Sequence, residues 1–361
     1  MKYISLFLIS SLFLVEAFAA DLINQQRFVR IMPLYQRWMI AGDNAFSEFS
    51  IPVLVYFPVQ RHWSLSLSGS QATAKGDNLA NLSGLTDTQL GLNYHIESTN
   101  LLLNLGLNFP SGKGELSLPQ LETSALFSSN IYQFQVPNFG QGLNISPGAT
   151  WALPVRDNLV LGIGASYQYK GKFTPLTNSG LDYDPGDEIL LTGGFDLRLG
   201  PTTTLTGDLI FTLYGTDKIN GREIFGAGNK LVANLQFRKY LGFDEIWLFA
   251  RYRSRAKNDL VVGGALVPEK EKTNPDQVEL IGQYRRRFSR RFSASFFAEG
   301  RFYQDTSAFD GVNLFGAGLA PAIALSSNFQ LLAQFKYQTG RFAEGASVSG
   351  LEAGLGTVVN F

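Results

Sequence analysis

Long segments of this chain alternate, residue by residue, between apolar and polar side chains. In "NLLLNLGLNF" at 100–109, one parity holds Leu101, Leu103, Leu105, Leu107 and Phe109, and the other holds Leu102, Asn104, Gly106 and Asn108. A helix would scatter these leucines around its axis, whereas a strand collects them on one face because its side chains point alternately to opposite sides. The pattern therefore predicts a strand with one apolar and one polar face.

The same period recurs along the rest of the chain and predicts sixteen strands. They lie near 27–40, 46–58, 61–72, 84–97, 99–110, 141–153, 157–172, 187–199, 201–215, 228–240, 243–257, 275–288, 290–304, 311–325, 327–340 and 348–361. Strands of soluble sheets usually have about 5–6 residues. Most of these are longer, and they suffice for the roughly 9–11 tilted residues that cross a bilayer.

The connections between the predicted strands alternate in length. Short turns lie at 58–62, 97–100, 153–158, 199–203, 241–245, 288–291 and 326–328, and longer polar stretches lie near 70–83, 111–140, 173–186, 216–227, 258–274, 305–310 and 341–347. A soluble β-sandwich is disfavoured, because the second face of the strands is polar and offers no second buried layer. We therefore predict an all-β fold, a transmembrane up-and-down antiparallel barrel of about 14–16 strands. Its short turns would be periplasmic and its longer loops would lie outside.

The first residues predict export. "MKYISLFLISSLFLVEAFAAD" has a lysine at position 2, an apolar run from Ile4 to Val15, and the small-residue site Ala17-Phe18-Ala19. This is the three-part pattern of a secretory signal peptide over residues 1–19, and the apolar run is too short for a membrane-spanning helix. Residues 20–361 then form a single barrel domain that we expect in the outer membrane, in contact with its lipid.

Composition argues against several classes of function. Lys plus Arg equals Asp plus Glu at 30 each, so no basic surface indicates nucleic acid. The chain has no cysteine and two histidines, His62 and His95, both at the predicted periplasmic end. We find no zinc spacing, phosphate loop or nucleophile elbow. We therefore expect no enzyme activity, no cofactor and no metal.

A barrel of 14–16 strands encloses more space than side chains fill, since about 8 strands is the filled case. The predicted register turns a set of charged residues inward as candidate pore-lining residues: Arg251, Arg253, Arg255, Glu279, Arg285, Glu299, Arg301 and Glu352. A row of arginines facing carboxylates creates a transverse field that selects small polar or amphipathic solutes. The alternative is that these residues form ion pairs that only stabilise the wall, or that they are solvated strand ends near the outer loops.

The longest connection, 111–140, is too apolar for an exposed loop, because each large side chain left in water forgoes roughly 1.5–3 kcal/mol. Its candidate solute-contacting residues are Leu118, Leu121, Phe127, Tyr132, Phe134 and Phe139. Pro119 predicts a short helix with proline in its first turn. Our hypothesis is that the loop folds into the mouth or lumen, narrows the pore and offers an apolar landing site. The alternative is that it packs on neighbouring loops or on a partner subunit.

Aromatic residues support the predicted orientation of the barrel, with short turns in the periplasm and longer loops outside. Trp63, Trp151 and Trp247 lie near predicted periplasmic turns, although parity turns Trp247 toward the lumen. The opposite strand ends carry Tyr169, Tyr214, Tyr252, Tyr303 and Tyr337. Two aromatic girdles at the two membrane interfaces are the arrangement that amphipathic rings prefer.

The signal peptide, the paired strands and the terminal "LEAGLGTVVNF" resemble Gram-negative outer-membrane barrels. This resemblance implies that the barrel assembly machinery recognises the last strand through Phe361. The stretches "GLTDTQLGLNYHI" and "NISPGATWALPVRDNLVLGIGASYQY" resemble the long-chain fatty-acid transporter family and related proteins linked to aromatic-compound degradation. That family resemblance implies about fourteen strands and an N-terminal plug, for which this chain has room only if 27–40 is plug rather than wall.

The expected function is a passive outer-membrane channel or transporter for small molecules, with hydrophobic or aromatic solutes implied by the family resemblance. The alternatives are a general diffusion porin for small polar solutes and a structural barrel that transports nothing. The sequence leaves the oligomeric state open.

Overall fold

The computed structural model describes residues 27–42, 44–60 and 62–361, so the predicted signal peptide lies outside the described residues. Sixteen antiparallel strands form one closed barrel. They are β1 (Phe28–Ile31 and Leu34–Ile40), β2 (Asn44–Gln60), β3 (Trp63–Gly76), β4 (Leu82–Leu85 and Thr88–Ile96), β5 (Leu101–Phe109), β6 (Asn144–Arg156), β7 (Leu159–Lys170), β8 (Glu188–Gly200), β9 (Thr203–Tyr214), β10 (Lys230–Leu241), β11 (Asp244–Arg255), β12 (Gln277–Arg287), β13 (Phe292–Tyr303), β14 (Val312–Ala324), β15 (Phe329–Phe342) and β16 (Ser347–Asn360). The predicted all-β barrel is confirmed, at the upper end of the predicted strand number.

The barrel closes where its first strand meets its last. β1 pairs with β2 on one side and with β16 on the other, in register Tyr35 with Phe49 and Tyr35 with Ala353. Pro33, which has no N–H, interrupts β1, and its carbonyl accepts the Leu355 N–H at 3.1 Å. Closure leaves no sheet edge unpaired, which is what a strand structure in lipid requires. Because 27–40 is wall, the plug that the family resemblance implied does not occur there.

Each strand shows the predicted two faces. On β10, Leu231 and Leu235 are exposed on the outside, whereas Val232 and Asn234 are buried inside. Similar outward residues on other strands include Leu103, Ile163, Leu191, Leu209, Leu248, Leu280, Phe296, Phe315, Phe335 and Leu355. Soluble monomers rarely expose contiguous apolar patches larger than a few hundred Å², so this belt faces hydrocarbon. No helix in the described part of the chain is long and apolar enough to cross a membrane.

The aromatic girdles are less complete than predicted. Trp63 and Trp151 are exposed at the end of the barrel where the short turns lie. Trp247 is buried and stacks on Phe249 at a centroid distance of 5.5 Å. The register of β11 contains no bulge, so parity keeps Trp247 in the lumen.

Three of the five predicted girdle tyrosines, Tyr169, Tyr252 and Tyr337, are exposed near the long-loop end. The placement of Tyr303 in the girdle was wrong: it is buried inside, because it shares the parity of Arg301. Tyr214 also faces inward, since it pairs with Glu188 on β8 and contacts Arg255.

The long-loop end carries a second sheet and a helix. Short strands at Tyr183–Asp184, Thr216–Ile219, Arg222–Gly226, Asp259–Val262 and Ala265–Pro268 form a five-stranded sheet. Helix α1 (Leu118–Phe127) lies in the loop between β5 and β6. The Ser117 N–H donates to Gln120 Oε1 at 3.3 Å at its start, and Pro119 lies in the first turn, as predicted.

A matched pair of substitutions on β10 tests the assignment of the two faces. Leu235→Arg places a charge in the outward belt and should lower the free energy of unfolding in liposomes by about 2–4 kcal/mol, because lipid does not solvate the guanidinium. Gln236→Arg, one residue along and facing the lumen, should change it by less than about 1 kcal/mol. Urea titration in liposomes measures both, and equal costs would contradict the assignment.

Candidate functional site

Residues 130–136, which we name the crossing segment, run through the long-loop half of the lumen from β13 to β1 and β2. Inward side chains of the wall hold the carbonyls of this segment. Tyr303 Oη donates to Asn130 O at 2.7 Å, Arg301 Nη1 to Ile131 O at 2.7 Å, Trp38 Nε1 to Tyr132 O at 3.0 Å, and Gln36 Nε2 to Gln133 O at 3.2 Å. The wall therefore binds this segment through its backbone.

Two wall acceptors complete the arrangement. Gln36 Oε1 accepts the Gln135 N–H at 2.7 Å, and Glu48 Oε1 accepts the Val136 N–H at 3.0 Å. We name the five wall residues Gln36, Trp38, Glu48, Arg301 and Tyr303 the wall clasp. Because a buried peptide group without a partner is costly, the clasp supplies what a neighbouring strand would otherwise provide.

Apolar contacts explain why the loop enters the barrel. Seven loop residues join an apolar cluster with wall residues: Leu116, Phe127, Ile131, Tyr132, Phe134, Val136 and Phe139 pack with Trp38, Phe46, Ala72, Ala74, Leu82, Tyr303, Val312, Leu314 and Val348. The rings of Phe46 and Tyr132 lie 4.7 Å apart, and those of Phe127 and Phe134 lie 4.4 Å apart. Burial removes this apolar surface from water and drives docking of the loop.

Docking divides the predicted solute-contacting residues into two groups. Phe127, Tyr132, Phe134 and Phe139 are buried in the cluster, whereas Leu118 and Leu121 on α1 are 59% and 37% exposed. Burial also raises the pKa of Tyr132 to about 12, so its phenol is neutral. While the loop is docked, the two leucines are accessible from solvent and the four rings are not.

The predicted charged residues of the lumen form two groups, and three arginines lie apart from both. In the first group, Asp208, Asn234, Arg251, Glu279 and Arg301 are successive cross-strand neighbours from β9 to β13. Arg251 Nη1 lies 3.6 Å from Glu279 Oε2, and Arg251 Nε donates to Asn234 Oδ1 at 2.8 Å. Gln133 of the crossing segment reaches Glu279 at 3.4 Å. This alternating row therefore lies directly beside the loop.

A second group surrounds Lys336 of β15. Its ammonium lies 3.7 Å from Glu299 Oε2 and 3.5 Å from Glu352 Oε2, and Arg301 Nη2 lies 3.5 Å from Glu299 Oε1. Lys336 was not among the predicted site residues, although the alternation of β15 puts it on the inward face. Glu299 and Glu352 thus take part in ion pairs within the wall.

The remaining predicted arginines lie apart from both groups. Arg253 donates to Gln277 at 3.3 Å, and Arg255 donates to Tyr214 Oη at 3.2 Å, both near the long-loop end. Arg285 lies near the other end, as the cross-strand neighbour of Glu245 and Ser295. The eight residues therefore do not form a single site.

The wall opposite the docked loop carries short polar side chains. On β5 to β9, and on the short-turn halves of β3 and β4 that the loop does not cover, the inward parity includes Ser64, Ser66, Ser68, Gln89, Asn93, Asn104, Ser146, Thr150, Ser166, Thr192 and Thr206. Hydrogen bonds join some of them across strands, such as Asn93 Nδ2 to Ser64 Oγ at 3.4 Å. None of them belongs to the apolar cluster. One side of the lumen is therefore occupied by the loop, and the other is polar and lined by small residues.

The two histidines lie at the short-turn end. His62 Nδ1 is 3.9 Å from Glu97 Oε1, and the His95 backbone N–H donates to the His62 carbonyl at 2.9 Å. Within 27–42, 44–60 and 62–361, no group of three or more His, Cys, Asp or Glu residues is arranged to hold a metal ion.

No family model and no curated protein matches the chain. Solved structures that resemble it include the outer membrane channel DcaP of Acinetobacter baumannii, at 11% identity and a TM-score of 0.46, covering 92% of this chain and 96% of that one. Pseudomonas aeruginosa OprD has 8% identity and a TM-score of 0.47, covering 93% and 95%. Pseudomonas aeruginosa OpdQ has 11% identity and a TM-score of 0.47, covering 93% and 99%. Sequence identities and TM-scores this low do not indicate a solute, so only the residues that line this lumen can indicate one.

Gln36 offers a test of the clasp. Gln36→Leu leaves the Gln133 carbonyl and the Gln135 N–H without their partners, and each buried unpaired group costs about 1–3 kcal/mol. The crossing segment should undock, and its amides should exchange with deuterium at least about tenfold faster by mass spectrometry.

Gln334→Leu is the matched control, because Gln334 hydrogen-bonds Glu352, as Gln36 does, but makes no hydrogen bond to the loop. Exchange that is unchanged in Gln36→Leu, or equally fast in both variants, would contradict the clasp.

Proposed function

We propose that the chain is a passive outer-membrane channel for small polar solutes, narrowed by the crossing segment. The observation that carries this proposal is the asymmetry of the lumen. The docked loop covers the wall around β13 to β4, while β5 to β9 present Ser, Thr, Asn and Gln side chains. Such a lining is typical of a water-filled passage rather than of a packed core.

Charge beside the constriction favours polar solutes. Arg251, Glu279 and Arg301 lie in one row next to the crossing segment, and all three are buried. The field of fixed opposite charges extends into a neighbouring narrow passage even when the charged groups are covered, and it orients dipolar solutes and acts against apolar ones. The row also holds the loop, because Arg301 binds the Ile131 carbonyl. Selection of solutes and narrowing of the lumen would therefore depend on the same residues.

Hydrophobic or aromatic solutes are the second candidate. They follow from the resemblance to the long-chain fatty-acid transporter family and from the apolar loop. With the loop docked, Phe127, Phe134 and Phe139 are covered, and only Leu118 and Leu121 of the predicted landing site remain exposed. The family's expected strand number and plug also differ from the sixteen-strand wall of this chain. This function would require the loop to undock.

Planar-bilayer recording combined with liposome swelling tests the proposal. The wild-type protein should conduct steadily in KCl and admit small sugars and amino acids. Replacing 116–139 with a short Gly-Ser linker should raise the conductance about twofold or more, because the passage widens when the loop is removed.

Deletion of 261–266, the exposed tip of a hairpin in the outer sheet, is the control and should leave the conductance unchanged. Circular dichroism checks that both variants retain the barrel. A wild-type protein that carries no current and admits no polar solute would contradict the proposal, and uptake of apolar solutes alone would favour the second candidate.

Recognition of Phe361 by the barrel assembly machinery stays a prediction. The Phe361 ring is exposed beyond β16, and its backbone N–H donates to the Arg27 carbonyl at 3.0 Å. An exposed aromatic ring at this position is available to a protein that reads the last strand.

A further inference from the structure

The short-turn end of β12 and β13 carries a dense group of arginines. Five of the seven residues in "RRRFSRR" at 285–291 are arginine, in a chain whose basic and acidic residues balance as a whole. The Ser289 hydroxyl fixes the turn between the strands, accepting the Arg291 N–H at 3.2 Å and the Phe292 N–H at 3.0 Å. The arginines are therefore presented by a defined hairpin.

Strand parity separates these arginines between the two faces. Arg286 shares the outward parity of Leu280 and Tyr284, and its guanidinium lies 5.3 Å from the ring centroid of the exposed Phe288. Arg285 and Arg287 share the inward parity of Glu279 and pair with Ser295 and Ser293 of β13. The hairpin therefore has a lipid-side arginine with an aromatic partner and two lumen-side arginines.

Arg285 and Arg287 line a small cavity of about 80 Å³ that is open on one side, together with Arg290 and Arg291 of the turn, and we name these four residues the lumen-side set. The rest of the lining is Ser289, Phe292, Ser293, Ala322, Ala324 and Gln330. A space of this size that is open on one side admits a single small group such as phosphate or carboxylate. Every polar side chain in this lining carries a hydrogen-bond donor.

No carboxylate neutralises this set among the described residues. Glu245, the cross-strand neighbour of Arg285, pairs with Arg238 at 3.0 Å instead. Asp244 accepts the Arg287 backbone N–H at 3.0 Å and the Tyr284 hydroxyl at 2.7 Å. Guanidinium groups stay charged at all working pH values. Three of these arginines are exposed and Arg285 is half-buried, so together they give this end of the barrel a positive potential that attracts anions.

From this geometry we infer that the lumen-side arginines form a binding site for an oxyanion, a phosphate or carboxylate group carried by a small solute. The inference rests on the proposed channel function. It names anionic solutes as the class that would bind at the short-turn mouth of the barrel, which is periplasmic in the predicted orientation. The planar guanidinium fork matches both groups through paired N–H···O bonds.

The source of the anion follows from the direction of the side chains. A phospholipid headgroup would approach from the outside, where Arg286 and Phe288 lie. Six of the ten residues that line the cavity are inward residues of β12, β13, β14 and β15 or the adjoining Arg291, and the others are Ser289, Arg290, Phe292 and Arg287 near the turn. The structure therefore favours a solute in the lumen over a lipid headgroup.

Calorimetry with inorganic phosphate tests the site directly, on the full barrel in a zwitterionic detergent that contains no phosphate, at low ionic strength. The wild type should bind phosphate saturably. Arg285→Gln should weaken binding about tenfold or more, as should the double variant Arg290→Gln/Arg291→Gln, because each removes charge-assisted hydrogen bonds.

Arg286→Gln is the matched control, since it removes the same charge from the same hairpin on the outward face, and it should bind within about twofold of wild type. Absence of saturable binding, or equal weakening by Arg285→Gln and Arg286→Gln, would overturn the inference. Phosphatidylglycerol added to the micelles should not compete with phosphate. If it competes in the wild type and not in Arg285→Gln, the ligand is a headgroup and the lumenal assignment is wrong.

Reversal potentials in a KCl gradient separate this inference from the proposed function. The wild-type channel should prefer anions, and Arg285→Gln should shift the reversal potential toward zero. A channel that conducts but binds no phosphate overturns the anion site alone. A barrel that carries no current contradicts the channel, and the calorimetric result still decides the site.

Discussion

A peptide group in hydrocarbon has no water to bind, so leaving its N–H or C=O without a hydrogen-bond partner costs several kcal/mol. The rest of this structure depends on avoiding that cost. Pairing β1 with β16 removes the last free edge, so every strand has two neighbours. Closure in turn makes the period of two decisive, because each side chain must then face either lipid or lumen. The exposed Leu235 and the buried Asn234, adjacent on β10, show both outcomes.

A ring of sixteen strands leaves a lumen that wall side chains alone do not fill. The loop after β5 fills part of it, with aromatic residues against the wall and a backbone held by the wall clasp. Glu48 Oε1 and Arg301 Nη1 bind the crossing segment, which offsets part of the cost of burying these two side chains. Narrowing of the lumen and satisfaction of these buried groups therefore have the same structural cause.

Much of this architecture is readable from the alternation, because strand faces are a local property. The sixteen segments, the inward parity of Arg251 and Glu279, and the lumenal position of Trp247 all follow from it. The partners of these residues do not follow, because they depend on contacts between distant parts of the chain. Lys336 meets Glu299 and Glu352 only through the registers of β13 to β16. Likewise, Phe134 is buried because of where the loop docks, and the residues next to it in the sequence do not predict that position.

The central claim is that alternate residues of one strand touch water and lipid, and the absence of cysteine from the chain makes it directly measurable. Single cysteines placed along β9, on the wall opposite the docked loop, can be treated in liposomes with a water-soluble thiol reagent. The account predicts rapid labelling at Thr206, Asp208 and Ile210 and slow labelling at Leu205, Gly207 and Leu209. Labelling at equal rates along the strand, or at neither set, would contradict it.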